Sequence, residues 1–477
     1  MTDLCSLGAA ELVARMRLRE VSSREVVSAF LARIDALNPS FNAIVSRRPD
    51  DDVLAEADEA DRALLAGDDL GRLHGLPHAI KDTANTAGLR STYGSPLFAD
   101  HVPNEDGLAV GRVRRAGAIV IGKTNVPEFG LGSHTYNPIF GATGNAWNPA
   151  FSAGGSSGGA AVAVAQRMLP MADGSDLGGS LRNPGGWNNV FGLRPSQGRV
   201  PSWPRSDAFF AQLVTEGPIA RNAADLALLL SVQSGEHVLA PLSLSSALDA
   251  TRPLEVDLRG RRVGWLGDLR GHLPMEQGVL ATCETALKLL VDDGLIVDAP
   301  TPVFDWTRLW RSFVVLRQFG LGGDFATAFE DPALRDLMKP ELQWELTQAL
   351  ALTVADVQQA AVVRTAWYDA VLRLFDEFDY LALPSAQVFP FPIEQTWPTK
   401  IAGRTMDSYH RWMEVAVPGT LSGCPVISIP AGFGGDATLP IGLQMIGRPR
   451  DDYSLLELAH SWERTAPWMA LAPPDPR

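Results

Sequence analysis

Residues 154–182 read GGSSGGAAVAVAQRMLPMADGSDLGGSLR. Ten glycines fall in the 39 positions from 154 to 192, against 44 in all 477 residues. A flexible linker would share that richness, but the AAVAVA run at 160–165 is a packable helix segment inside it. Dense glycine around ordered apolar residues marks backbone that turns tightly or lies close against something. The stretch is therefore read as part of a packed core.

Outward from it, the pattern alternates between short strands and helices. Residues 8–37 predict two helices. In the second, Ser22 and Glu25 have capping-box spacing, and Val26, Val27, Phe30, Leu31 and Ile34 share one helical face. Asn38-Pro39 is expected to stop that helix. Another helix is expected over 53–65. The runs 78–80 and 118–121 read as buried strands bounded by glycine. A buried helix follows at 223–232, then a loop over 235–260, a strand near 262–266 and mainly helices over 276–380. Strands return at 426–429 and 441–446, before a last helix near 453–464. Length alone would allow about three domains. Strands near both ends with helices between them, and no repeat or low-complexity linker, instead predict a single α/β domain whose sheet is completed late.

Composition narrows the class. The chain is 46% hydrophobic and 20% charged, which fits a globular protein. Its 41 basic against 55 acidic residues give −14, which makes nucleic acid and anionic membranes poor partners. Cys5, Cys283 and Cys424 are far apart with no CxxC pair, so neither a disulfide framework nor a cysteine zinc site is expected. No apolar run approaches the roughly 18 residues that span a bilayer. The first residues carry Asp3 and further charges, unlike a secretory signal. The expectation is a cytoplasmic protein.

Two familiar patterns are present and are rejected on context. Gly117-x4-Gly122-Lys123-Thr124 matches the phosphate-loop expression, but its four intervening residues, Ala-Ile-Val-Ile, favour a strand, and Pro127 discourages the helix that should follow. Gly155-Ser156-Ser157-Gly158-Gly159 fits a nucleophile elbow on Ser157. The preceding residues, NAWNPAFSAG, are polar and turn-rich where that elbow needs a hydrophobic strand. His237, His272, His410 and His460 lie downstream, none in a persuasive loop. The histidines show no ligand spacing, so no metal is expected.

What remains is a serine and lysine set. Lys81 ends an apolar run in GLPHAIKD, Ser156 and Ser157 sit in GGSSGG, and Ser180 sits in GSDLGGSLR. A serine hydroxyl attacks an acyl carbon only if something takes its proton. Lysine can do so only when neutral, which requires burial or a nearby positive charge. Backbone N–H groups around Leu177-Gly178-Gly179-Ser180 would suit a developing oxyanion.

These motifs resemble the amidase signature family. The resemblance runs through GLPHAIKD (75–82), GKTNVPEF (122–129), FGATGNAWNP (140–149), GGSSGG (154–159), GSDLGGSLR (174–182), FGLRPSQGRV (191–200), EGPIARNAADLALLL (216–230), SGCPVISIP (422–430) and PIGLQMIG (440–447). It implies a mixed central β-sheet surrounded by helices. Within that one domain, 1–65 would hold the N-terminal helices, 70–235 the catalytic core, 236–405 a variable helical substrate-pocket region, and 406–477 the closing strands and helix. It further implies a Ser–cis-Ser–Lys triad: Ser180 as nucleophile, Ser156 as the middle serine, held in a non-proline cis peptide, and Lys81 as the base. The backbone of Leu177, Gly178, Gly179 and Ser180 would form the oxyanion hole. Ser157 and Asp176 are read either as loop braces or as plain turn residues, and Arg182 as structural. No cofactor is implied.

Departures from the family pattern bear on the pocket. Asn183-Pro184-Gly185-Gly186-Trp187-Asn188-Asn189 replaces small apolar residues and a Cys-Gly pair, and Tyr136-Asn137-Pro138 stands where small polar residues are common. Six of the twelve tryptophans lie within residues 306–412. Tyr136, Trp187, Trp306 and Trp310 are therefore candidate pocket residues for an aryl or bulky group, with aromatic core packing as the other reading. The expected activity is hydrolysis of a small-molecule amide by water. A carbamate or ester hydrolase, or one chain of a tRNA-dependent amidotransferase, is the alternative.

Overall fold

Ser22 and Glu25 close a capping box at the start of helix Ser23–Phe41. The Ser22 hydroxyl accepts the Glu25 N–H at 3.1 Å, and the Glu25 carboxylate accepts the Ser22 N–H at 2.8 Å. The computed structural model describes residues 3–68, 71–210 and 212–475. Its first two helices are Ala9–Arg17 and Ser23–Phe41. Asn38-Pro39 does not end the second. Pro39 falls in the last turn, where its missing N–H removes a single helical bond. Asn38 Oδ1 takes the N–H groups of Ala43 and Ile44 at 2.9 and 2.8 Å, and Asn42, at φ 52°, stops the helix.

A small sheet positions the first functional side chain. Pro77–Lys81 runs parallel to Ile119–Thr124, and Ile44–Val45 pairs antiparallel with the latter. Gly122, Lys123 and Thr124 thus lie in a strand, not in a phosphate loop. Lys123 is buried and donates to Ala84 O at 2.6 Å and Thr86 Oγ1 at 2.8 Å.

The main sheet has eight strands in the spatial order Ile296–Asp298, Arg262–Trp265, Tyr380–Pro384, Leu439–Ile446, Val426–Gly434, Phe191–Arg194, Thr215–Ala220 and Met171–Asp176. The first two junctions are parallel and the others antiparallel, so the sheet is mixed. The two C-terminal strands sit near its middle; the end of the chain joins the halves. Helices surround the sheets, making one α/β domain. Every residue of Gly158–Ala165 is buried, which explains why that helix is apolar all round. Among the described residues no single helix is long and apolar enough to cross a membrane; one pair, Pro340–Leu350 and Val354–Leu374, passes that test only together, across a bend of 103°.

Candidate active site

Lys81 is the last residue of its strand, and all five residues of Pro77–Lys81 are buried. Its side chain therefore leaves the sheet inside the protein. Nζ lies 2.8 Å from Ser156 Oγ, 2.8 Å from Ser157 Oγ, 3.0 Å from Ser175 Oγ and 3.2 Å from Ser175 O. The carbonyl of Ser175 can only accept, so it takes one N–H. A neutral amine then has one more N–H and a lone pair for the hydroxyls, which suits it to receive a proton from one of them. Burial pushes the Lys81 amine down from 10.5 to about 7, against Asp176, Asp173 and Glu216, which pull it up.

The turn carrying Ser156 is held from several sides. The Gly155–Ser156 peptide is cis, and Gly155 N–H donates to Asn183 Oδ1 at 3.1 Å. Ser157 N–H donates to Ser180 O at 3.2 Å, tying this turn to the loop of Ser180. Gly130, at φ +71°, packs against Ser156: a Cβ there would lie 3.2 Å from Ser156 Oγ.

Ser180 sits between strand Met171–Asp176 and helix Arg182–Trp187. Asp176 organises this loop. Its carboxylate accepts Gly179 N–H at 2.9 Å, Leu181 N–H at 3.1 Å, and Arg182 Nε and Nη2 at 3.0 and 2.9 Å. Burial alone would raise the Asp176 carboxyl, but the Arg182 and Arg194 guanidiniums and the N–H of Gly179 hold it well below the usual carboxylate range. Arg182 also reaches Ala416 O, Gln444 Oε1 and Thr420 Oγ1, at 2.9, 2.7 and 2.8 Å. Both residues are braces rather than simple turn residues. Of the amides expected to face an oxyanion, that of Gly179 is committed to Asp176. Those of Gly178 and Ser180 make no intramolecular hydrogen bond among the described residues.

A cavity of about 280 Å³ opens on Lys81, Ser156 and Ser180, with Leu177 also on its wall. Its aromatic wall is Tyr93, Phe129 and Phe325, the last two packed with ring centroids 4.6 Å apart. Tyr136, Trp187, Trp306 and Trp310 do not line it. Trp187 is fully buried and stacks on Trp412 at 5.8 Å. Trp306 packs on Trp367 at 5.3 Å, and Trp310 on Phe313 at 5.6 Å. Tyr136 turns its hydroxyl toward Glu341, 3.4 Å away. The tryptophans are core packing, because wide rings of adjoining helices and loops bury more area against each other than against a small cavity.

Several residues in the site were not singled out in the sequence. Ser175 touches Lys81, Asn183 holds Gly155, and Asp173, Glu216, Arg317 and Asp324 line the cavity. Ser175 and Asp173 lie within or beside quoted motifs. Nothing local distinguishes Arg317 or Asp324 from other polar residues of a helix.

The family model described as Amidase matches residues 25–456. The chain belongs to the amidase family. This amidase is 34% identical to an acylamidase of Rhodococcus erythropolis, over 98% of this chain and 97% of the other. It is 33% identical to a glutamyl-tRNA(Gln) amidotransferase chain of Thermosynechococcus vestitus, over 96% and 98% of the two sequences. Its fold matches that of a bacterial aryl acylamidase of the amidase signature enzymes with a TM-score of 0.90 and 28% identity, covering 97% of this chain and 96% of that one. It is an amide-hydrolysing enzyme with the single-domain architecture of that family.

Proposed function

We infer that this amidase cleaves a carboxylic amide through an acyl-enzyme on Ser180, with Lys81 as the base acting through Ser156. The observation that carries this reading is the 2.8 Å contact between Lys81 Nζ and Ser156 Oγ, in a buried site on the same cavity as Ser180. Ser180 Oγ attacks the carbonyl carbon while its proton passes to Ser156, and the proton of Ser156 passes to Lys81. The tetrahedral oxyanion meets the N–H groups of Gly178 and Ser180. Collapse breaks the C–N bond, and Lys81 returns its proton through Ser156 to the departing nitrogen. Water then repeats the sequence on the acyl-enzyme and releases the acid.

The Tyr93, Phe129 and Phe325 wall supports an aryl or bulky apolar group next to the scissile bond. Carbamates and esters present the same carbonyl and would enter the same steps. A second reading, one chain of an assembly that releases ammonia from glutamine for a tRNA-linked partner, is favoured by the end-to-end likeness to the amidotransferase chain. The purified chain, assayed alone against acyl anilides, aliphatic amides, carbamates and glutamine, separates the two. Turnover of anilides with an initial burst of aniline is expected. No acyl-amide turnover alone, with glutamine hydrolysed once partner chains are added, would overturn the first reading.

A further inference from the structure

Two carboxylates on the wall of the catalytic cavity take no part in the relay. Met171–Asp176 pairs antiparallel with Thr215–Ala220, with Asp173 opposite Pro218 and Ser175 opposite Glu216. Side chains alternate across a strand, so Asp173, Ser175 and Glu216 share one face. It is the face that meets Lys81, since Ser175 Oγ touches Nζ. Asp173 and Glu216 are diagonal neighbours there, within mutual reach of their side chains.

Among the described residues, no lysine or arginine lies within ion-pair distance of Asp173; the cationic partner within its reach is His78. Asp173 bonds His78 Nε2 at 3.0 Å and the Lys81 backbone N–H at 3.2 Å. His78 Nδ1 is buried without a partner, so the tautomer with its proton on Nε2 leaves no N–H orphaned. In that tautomer Nε2 donates to the Asp173 carboxylate. Glu216 accepts a bond from Ser202 Oγ at 3.1 Å. Burial pushes the Glu216 carboxyl up to about 7, with Ser202 and the Arg205 charge opposing and Asp173 adding. The other cation on the wall, Arg317, is held by Glu345 at 2.6 Å. Asp324 adds a further carboxylate. Lys81 must be uncharged to act as base. With Lys81 uncharged, carboxyl groups outnumber cations on this wall, and a buried carboxylate calls for a counter-charge.

We propose that Asp173 and Glu216 form a cation subsite, and that the enzyme selects amides carrying a protonated amine a few bonds from the scissile carbonyl. This rests on the reading of Ser180 and Lys81 given above. The substrate supplies the missing positive charge, and an anionic group at the same place is rejected.

Matched p-nitroanilides test it: pentanoyl, 4-aminobutyryl and succinyl, which differ chiefly in charge. A second pair, butanamides of pentylamine and of 1,4-diaminobutane, moves the charge to the leaving amine. In at least one series kcat/KM for the cationic member is expected to exceed the neutral one by about tenfold or more, mainly through KM. Succinyl is expected to be the poorest anilide. Glu216→Gln and Asp173→Asn should each shrink that ratio by about tenfold. Equal kcat/KM for neutral and cationic members in both series overturns the proposal without needing any variant. So does a Glu216→Gln enzyme in which all substrates change alike and only the acid limb of the pH profile moves, which would mean the carboxylates merely tune Lys81. Hydrolysis of the neutral anilide by Ser180→Ala would instead overturn the catalytic reading, whatever the charge preference.

Discussion

Asp176 and Arg182 form an ion pair at 2.9 Å in which neither side chain is exposed. The pair joins the Ser180 loop to the middle of the main sheet, because Arg182 also reaches Gln444 on strand Leu439–Ile446. Breaking a buried pair leaves one charge without compensation, at about 3–5 kcal/mol. Arg182→Leu is therefore expected to unfold at a markedly lower urea concentration than the wild type, with the slope of the transition unchanged. A midpoint equal to that of the wild type would show that Arg194 carries the charge of Asp176 alone.

On the proposed mechanism, the ionisation of Lys81 sets the pH dependence. Its amine is held near 7, well below the 10.5 of a free lysine, and only the neutral form accepts a proton. For an amide without ionisable groups, kcat/KM is expected to fall about tenfold per pH unit below 7 and to level off above it. Initial rates from pH 5 to 9 check this. A profile still rising about tenfold per unit from pH 8 to 9 would mean that the amine has its ordinary basicity.

Much of this candidate site was legible in the sequence because its side chains sit in short contiguous motifs. Lys81 ends a recognisably apolar strand, and Ser156 and Ser180 stand in glycine-dense turns that few other functions need. The strands Met171–Asp176, Phe191–Arg194 and Thr215–Ala220 were not legible. They read MADGSD, FGLR and TEGPIA, with glycine, proline and charge where strand patterns expect alternating apolar residues. Tertiary burial, not local propensity, makes them strands. The aromatic wall was not legible for a related reason: tryptophan enrichment measures how much ring a segment buries, and says nothing of where a cavity opens.

At Gly130 backbone conformation bears on the proposed relay. At φ +71° it occupies a region that disfavours any Cβ, and that Cβ would press on Ser156 Oγ at 3.2 Å. Gly130→Ala is expected to lose about 1–2 kcal/mol of stability and about 10- to 100-fold in kcat, since small displacements of a relay group are costly. Denaturation and steady-state kinetics on one preparation give both numbers. Unchanged kcat would show that Ser156 does not depend on this contact.

The pocket assignment separates two sets of aromatic residues. Phe129→Ala and Phe325→Ala are expected to change the ratio of kcat/KM between anilides and short aliphatic amides by about fivefold or more, because both rings line the cavity. Trp306→Phe is expected to leave that ratio within about twofold and to act on stability alone. A substrate panel measured on the three variants decides; a ratio moved only by Trp306→Phe would reverse the assignment.

Covalent labelling addresses Ser180 most directly. The enzyme is incubated with a fluorophosphonate, weighed intact and then digested to locate the label. One phosphonyl group per chain, on Ser180, is expected, with none on Ser180→Ala and labelling slowed by about 100-fold or more in Lys81→Ala. Label on another serine, or wild-type labelling of Ser180→Ala, would contradict the account.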